Sequence, residues 1–140
     1  MKNDILVFIQ TGKPGVTDED IKSAEEKLGA VFPEVYKEFY KLVNQAEIGE
    51  WILFPIKDPN HLRKSWDDIV RQNLEVRDEN MPEDLIAIGD DGNGDKLCFQ
   101  VINGKMSEKI YLWDHETNEI EEYAPNLIEF VKLESEAEEG

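Results

Sequence analysis

Ile88-Gly89-Asp90-Asp91-Gly92-Asn93-Gly94-Asp95-Lys96-Leu97-Cys98-Phe99 reads as a strand, a tight reversal and a second strand. Asp91-Gly92-Asn93-Gly94-Asp95 puts residues that tolerate positive φ where the chain must turn, and glycine adopts that conformation with no Cβ penalty. Leu85-Ile86-Ala87-Ile88 leads into the reversal, and residues 96–102 lead out of it. An antiparallel hairpin is therefore the unit around which the rest is arranged. Asn103-Gly104 marks a second turn. Residues 109–113 and 120–123 read as further strands, with a polar turn across 114–119 containing Thr117-Asn118.

Upstream the period changes from two to that of a helix. Thr17 stands where an N-cap belongs, with Asp20 three residues on as a capping-box variant. Ile21, Ala24 and Leu28 follow on one stripe, and Gly29 sits where that helix stops. Pro33 suits the first turn of a second helix, whose Tyr36, Phe39, Tyr40 and Val43 share a face. That spacing predicts burial for the aromatics rather than a ligand site. Lys13-Pro14-Gly15 reads as a loop, and Trp51-Ile52-Leu53-Phe54 as a strand stopped by Pro55. A loop through Pro59 leads to a third helix capped by Ser65, with Trp66, Ile69, Val70, Asn73 and Val76 along one side; Met81-Pro82 breaks it. Pro125 opens a last helix with Leu127, Phe130 and Val131 inward.

Helices in front and consecutive strands behind, joined by short turns, predict an α+β fold: one domain, a twisted, mostly antiparallel sheet with helices packed on it. Residues 1–16 form an N-terminal segment with a candidate edge strand at Ile5-Leu6-Val7-Phe8-Ile9. The domain itself spans 17–133, and 134–140 is an acidic tail expected to fray.

A chain of 140 residues is long enough to bury a real core. No apolar run approaches the roughly 20 residues of a membrane span. Residues 5–9 are too few for a secretory apolar core and no small-residue cleavage site follows them, so a cytoplasmic location is expected. The lone Cys98 excludes an intramolecular disulfide framework. Thirty-two acidic residues face 15 basic ones, a formal net charge of −17. Nucleic-acid binding requires phosphate neutralisation by basic groups, so no nucleic-acid partner is expected. The charge suits a basic protein partner steered in by its field, and it equally keeps a protein in solution.

Asp91, Asn93 and Asp95 have the spacing that begins an EF-hand loop, but Lys96 replaces the required glycine at the sixth position and Ile102 the glutamate at the twelfth. Asp114-His115-Glu116 sets one imidazole between two carboxylates, whereas zinc needs three or four converging ligands and the other histidine, His61, lies in a distant loop. No nucleophile elbow, phosphate loop or dinucleotide fingerprint occurs. The carboxylate pairs (Asp67-Asp68, Asp78-Glu79, Glu83-Asp84, Asp90-Asp91) are what chance supplies in so acidic a chain. No catalytic set, no metal site and no cofactor are expected. Trp51, Trp66 and Trp113 are core residues by default; an exposed one beside carboxylates would make a binding anchor.

Several stretches in order resemble one family. Thr17-Asp18-Glu19-Asp20-Ile21 opens the first helix, Phe32-Pro33 precedes the second, and Trp51-Ile52-Leu53-Phe54-Pro55-Ile56 follows. The glycine-acid hairpin comes next, then Ile110-Tyr111-Leu112-Trp113-Asp114-His115-Glu116. From about Thr17 to about Leu133 this order resembles the SUKH superfamily, the Smi/Knr group of bacterial immunity proteins and fungal regulators. The resemblance implies a SUKH-like domain that is not an enzyme. It implies an immunity protein, an antitoxin that neutralises a cognate toxin, a nuclease in the leading case, by stoichiometric non-covalent inhibition. The alternative it implies is a regulatory interaction module acting on a housekeeping protein. The candidate partner-binding surface comprises Trp51, Asp91, Asn93, Asp95, Trp113, Asp114, His115 and Glu116, taken from the two turns and the tryptophans beside acidic residues. Self-association is left open, since an exposed strand edge can pair two copies.

Overall fold

The computed structural model describes residues 11–58, 67–77 and 79–139. Ile5-Leu6-Val7-Phe8-Ile9, Pro59, His61, Ser65, Trp66 and Asp78 lie outside the described residues. Within them the fold is α+β. Strands β1 (Thr11–Pro14), β2 (Val43–Ile48), β3 (Trp51–Leu53), β4 (Leu85–Asp90), β5 (Lys96–Ile102), β7 (Ile110–Trp113) and β8 (Ile120–Ala124) form one sheet in the order β1-β2-β3-β4-β5-β7-β8. Every neighbouring pair is antiparallel. The short β6 (Lys105–Met106) folds back on β5 through Asn103-Gly104, both at positive φ, 53° and 76°. Helices α2 (Glu34–Leu42), α3 (Ile69–Leu74) and α4 (Leu127–Glu139) pack against it, and α1 (Asp18–Leu28) packs on α2 and α3.

The start of α1 follows its residues closely. Thr17 Oγ1 accepts from the Asp20 N–H and Asp20 Oδ2 accepts from the Thr17 N–H, each at 3.2 Å, and Gly29 ends the helix at φ 77°. Tyr36, Phe39 and Tyr40 of α2 are buried as their spacing predicts, and Tyr36 meets Phe99 of β5 edge-on at 5.0 Å. The Tyr40 hydroxyl donates to the Phe54 carbonyl at 2.8 Å. From α4, Leu127, Phe130 and Val131 point inward, and Phe130 packs on Tyr123, which in turn packs on Trp51.

Four expectations need correction. Val43 does not continue α2; its φ of −152° is extended and it begins β2. Lys13 and Pro14 belong to strand β1, not to a loop; β1 pairs with β2 alone among the described residues, and a terminal strand tolerates a proline that donates no ladder bond. Helix α3 starts at Ile69 with Asp68 as its cap, the carboxylate accepting from the Arg71 N–H at 3.2 Å, and it stops at Leu74, leaving Val76 exposed. The backbone of residues 134–139 continues α4 where an acidic tail is expected.

Two buried asparagines replace missing strand. β3 ends at Leu53, so Ala87 of β4 has no strand opposite it on that side. Asn73 fills the gap: its Oδ1 accepts from the Ala87 N–H at 2.8 Å and its Nδ2 donates to the Ala87 carbonyl at 2.9 Å. Asn44 of β2 does the same for Ile56, with both bonds at 2.8 Å. Buried backbone groups are costly when unpaired, so each amide acts as a one-residue strand.

Candidate functional site

Register assembles the site. Lys96 of β5 pairs with Trp113 of β7, so the residues one step beyond, Asp95 and Asp114, emerge together at the same end of the sheet. The β4–β5 turn and the β7–β8 turn thus form one acidic corner, although 20 positions separate Asp95 from His115 in the sequence.

Each turn holds itself first. Asp90 accepts from the Gly92 N–H at 3.3 Å, and Asp91 from the Asn93 N–H at 2.9 Å. Gly92 and Gly94 take φ of 85° and 109°, which glycine alone adopts cheaply. In the second turn Asp114 accepts from Glu116 N–H at 2.8 Å and from Thr117 N–H at 3.2 Å. These are side-chain mimics of backbone turns.

Then the turns are tied to each other. Asp95 Oδ1 lies 2.7 Å from His115 Nδ1 and also accepts from the His115 N–H at 3.2 Å. The hydrogen bond to His115 holds the Asp95 carboxyl below its ordinary range against a small opposing effect of burial. The same bond raises the His115 pKa. Both shifts favour the charged pair. Gly94 sits directly under the imidazole; a Cβ there would lie 2.9 Å from His115 Cγ. At the base of the corner the Lys96 ammonium reaches Asp90 at 3.3 Å and lies 5.7 Å from the centre of the Phe54 ring.

The structure brings Asp91, Asn93, Asp95, Asp114, His115 and Glu116 to this corner and withdraws the two tryptophans. Trp51 is 6% exposed and Trp113 1%, so neither presents an anchor to a partner. The indole N–H of Trp113 is buried without a hydrogen-bond partner among the described residues. Asp95, Asp114 and His115 each offer a ligand atom within 4.8 Å of the other two, a convergence that sequence reasoning missed because it treated the turns separately. A cation there would displace the Asp95–His115 bond and compete with the turn hydrogen bonds of Asp114. Asp91 is not part of that group, and Lys96 and Ile102 stand where an EF-hand loop needs glycine and glutamate.

Elsewhere a groove of about 650 Å³ runs beside α3, lined by Lys27, Lys57, Asp68, Arg71, Leu74 and Glu75. Among the described residues no histidine or cysteine lines it, and its charges are mixed. Burial pushes the Asp68 carboxyl up, opposed by the backbone N–H groups that it caps. Cys98 is buried in β5, where burial pushes its thiol well up and makes it a poor nucleophile.

The family model SUKH_5, described as SMI1-KNR4 cell-wall, matches residues 6–135. No curated protein matches the chain.

Proposed function

The chain belongs to the SMI1-KNR4 family of SUKH domains, and from that premise we propose that it is an immunity protein that binds and neutralises a cognate toxin in the cytoplasm, without catalysis. The leading candidate for the toxin is a basic nuclease. The observation that carries this reading is the acidic corner: carboxylates of two turns held in place at one end of the sheet, in a chain of net charge −17. A nuclease presents a positive surface to phosphate. A rigid acidic surface can occupy it, and its field raises the rate of encounter. Because the turns are already tied down, little ordering cost falls on binding. Family members are generally non-catalytic, and no described helix is long and apolar enough to cross a membrane.

The test is to look for a toxin domain encoded beside this gene and to assay co-purification with it and inhibition of it. A one-to-one complex that abolishes nuclease activity is expected, with an association rate that falls steeply from low to high salt. Full nuclease activity at saturating concentrations of this chain would overturn the proposal. An unchanged association rate would overturn the steering mechanism alone. A second reading, a regulatory module acting on a housekeeping partner, is favoured by the cell-wall description of the matching family; an unrelated metabolic gene neighbourhood and capture of a housekeeping enzyme would support it.

A further inference from the structure

The acidic character does not end at the two turns. The second turn runs directly into β8, the last strand in the sheet order, and among the described residues nothing pairs with its outer side. Ile120, Glu121 and Glu122 are exposed, while Tyr123 is half-buried and Ala124 buried where the chain approaches α4. An open edge presents unpaired N–H and C=O groups, the template onto which an extended peptide adds as a further strand.

We propose that the outer edge of β8, from Glu119 to Glu122, is the docking edge for a basic extended segment of the partner, which joins the sheet beyond β8. This rests on the binding-module reading above and names its surface and partner chemistry. The charge selects the occupant. Among the described residues no basic group lies within ion-pair distance of Glu119 or Glu121. Glu122 shows what the edge accepts: Lys109 reaches it at 2.7 Å from the bend just before β7, with both side chains more than half exposed. Opposite charges on facing strand positions are favourable and like charges are not. A second copy of this chain fits poorly, because antiparallel self-pairing centred on Glu121 and Glu122 places glutamate against glutamate. A segment alternating lysine with small or β-branched residues meets the acids and sets an apolar side chain near Ile120, which is 42% exposed. Continuity with Asp114 and Glu116 extends the same acidic strip past the end of the strand.

The test uses a fluorescein-labelled (Lys-Thr)5 decapeptide and the same peptide with every backbone nitrogen methylated. Charge is identical, but the second cannot donate to a ladder. Fluorescence anisotropy should show the unmethylated peptide binding and the methylated one at least about ten-fold weaker, with slowed amide hydrogen exchange in β8 on binding. The double variant Glu121→Lys/Glu122→Lys should lose about ten-fold in affinity. The remote pair Glu26→Lys/Glu83→Lys, an equal change in net charge, should lose much less. Equal binding of the two peptides, equal loss in the remote variant, or exchange slowed elsewhere but not in β8 would overturn the edge assignment. The hydrogen-exchange result on the unmodified chain stands even if a variant fails to fold. If the toxin is inhibited equally by the parent chain and by the β8 variant, the edge falls and immunity stands. If the peptide adds to β8 while no toxin is inhibited, the edge stands and immunity falls.

Discussion

Replacing Asn73 with alanine removes the side chain that completes β4. Asn73 is 5% exposed and Ala87 3%. The Ala87 N–H and C=O, now bonded at 2.8 and 2.9 Å, would both be left buried without partners. Each such group costs roughly 1–3 kcal/mol. The bond from Asn73 to the Ile69 carbonyl at 2.8 Å adds little, because that carbonyl also lies within the helical ladder. Alanine is the better helix former by a few tenths of a kcal/mol, a gain too small to change the sign. The net loss should be about 3 kcal/mol, a large share of the 5–15 kcal/mol typical of a domain. With an m-value of about 2 kcal/mol per molar urea, the unfolding midpoint should fall by about 1.5 M. Asn73→Asp sharpens the test. Its carboxylate can still accept from the Ala87 N–H and from Arg77 Nη1, now 3.4 Å from Asn73 Oδ1, but it faces the Ala87 carbonyl with an acceptor instead of a donor. Protonation restores a donor, so this variant should gain stability relative to the parent as pH falls from 7 to 5. A midpoint shift under about 0.3 M for Asn73→Ala, or no relative gain on acidification of Asn73→Asp, would refute the reasoning.

The His115–Asp95 pair should stabilise the fold most between about pH 4 and 6.5. His115, with its pKa raised in the fold, loses its share as pH rises through that value, and Asp95, with its pKa lowered, loses its share as pH falls through its own. The Tm difference between the parent and His115→Ala should therefore be widest near pH 5–6 and shrink on both sides. Gly92 and Gly94 both have positive φ, but only Gly94 has a neighbour in the way. Gly92→Ala should cost about 1 kcal/mol and Gly94→Ala clearly more, with the His115 titration shifted back toward its ordinary value in the second case alone, as NMR would show. Gly15→Ala should be the most damaging glycine substitution, above about 3 kcal/mol by urea titration, since its Cβ would fall 1.9 Å from the Lys41 carbonyl oxygen.

What was legible in the sequence was what is decided locally. Thr17 and Asp20 cap α1 with no help from distant residues, and the glycine-acid turn needs only its own side chains. β2 was missed because Val43-Asn44-Gln45-Ala46-Glu47-Ile48 carries few strand-formers, and because Val43 continues the helical stripe of α2 by one turn. A signal existed in Gly49, which opens the two-residue turn between Ile48 and Trp51 at φ 61°. The convergence of Asp95 with His115 depends on β7, not β6, lying beside the first residues of β5. No local pattern states that register. Asn73 was placed on the inner side of its helix, but its role required knowing that β3 stops three residues in. Trp51 and Trp113 illustrate the opposite limit: acidic neighbours in sequence say nothing about exposure, because adjacent residues in a strand point to opposite faces.

The acidic corner divides its carboxylates between two tasks, and that division indicates which can be changed without loss of fold. Asp90, Asp91 and Asp114 accept backbone N–H bonds within their own turns, and Asp95 holds the turns together. Removing any of them disturbs the surface as well as its charge. Glu116, Glu119, Glu121 and Glu122 are exposed, and Lys109 at Glu122 and the more distant His115 at Glu116 are their only described ionic contacts. Exposed ion pairs contribute little to stability, so these glutamates are close to free for recognition. The fold thus builds a rigid frame from one set of acids and presents a second set along β8. On the docking proposal above, a partner reads the second set through charge and strand pairing together, and those glutamates can be changed while the turns that hold the corner stay the same.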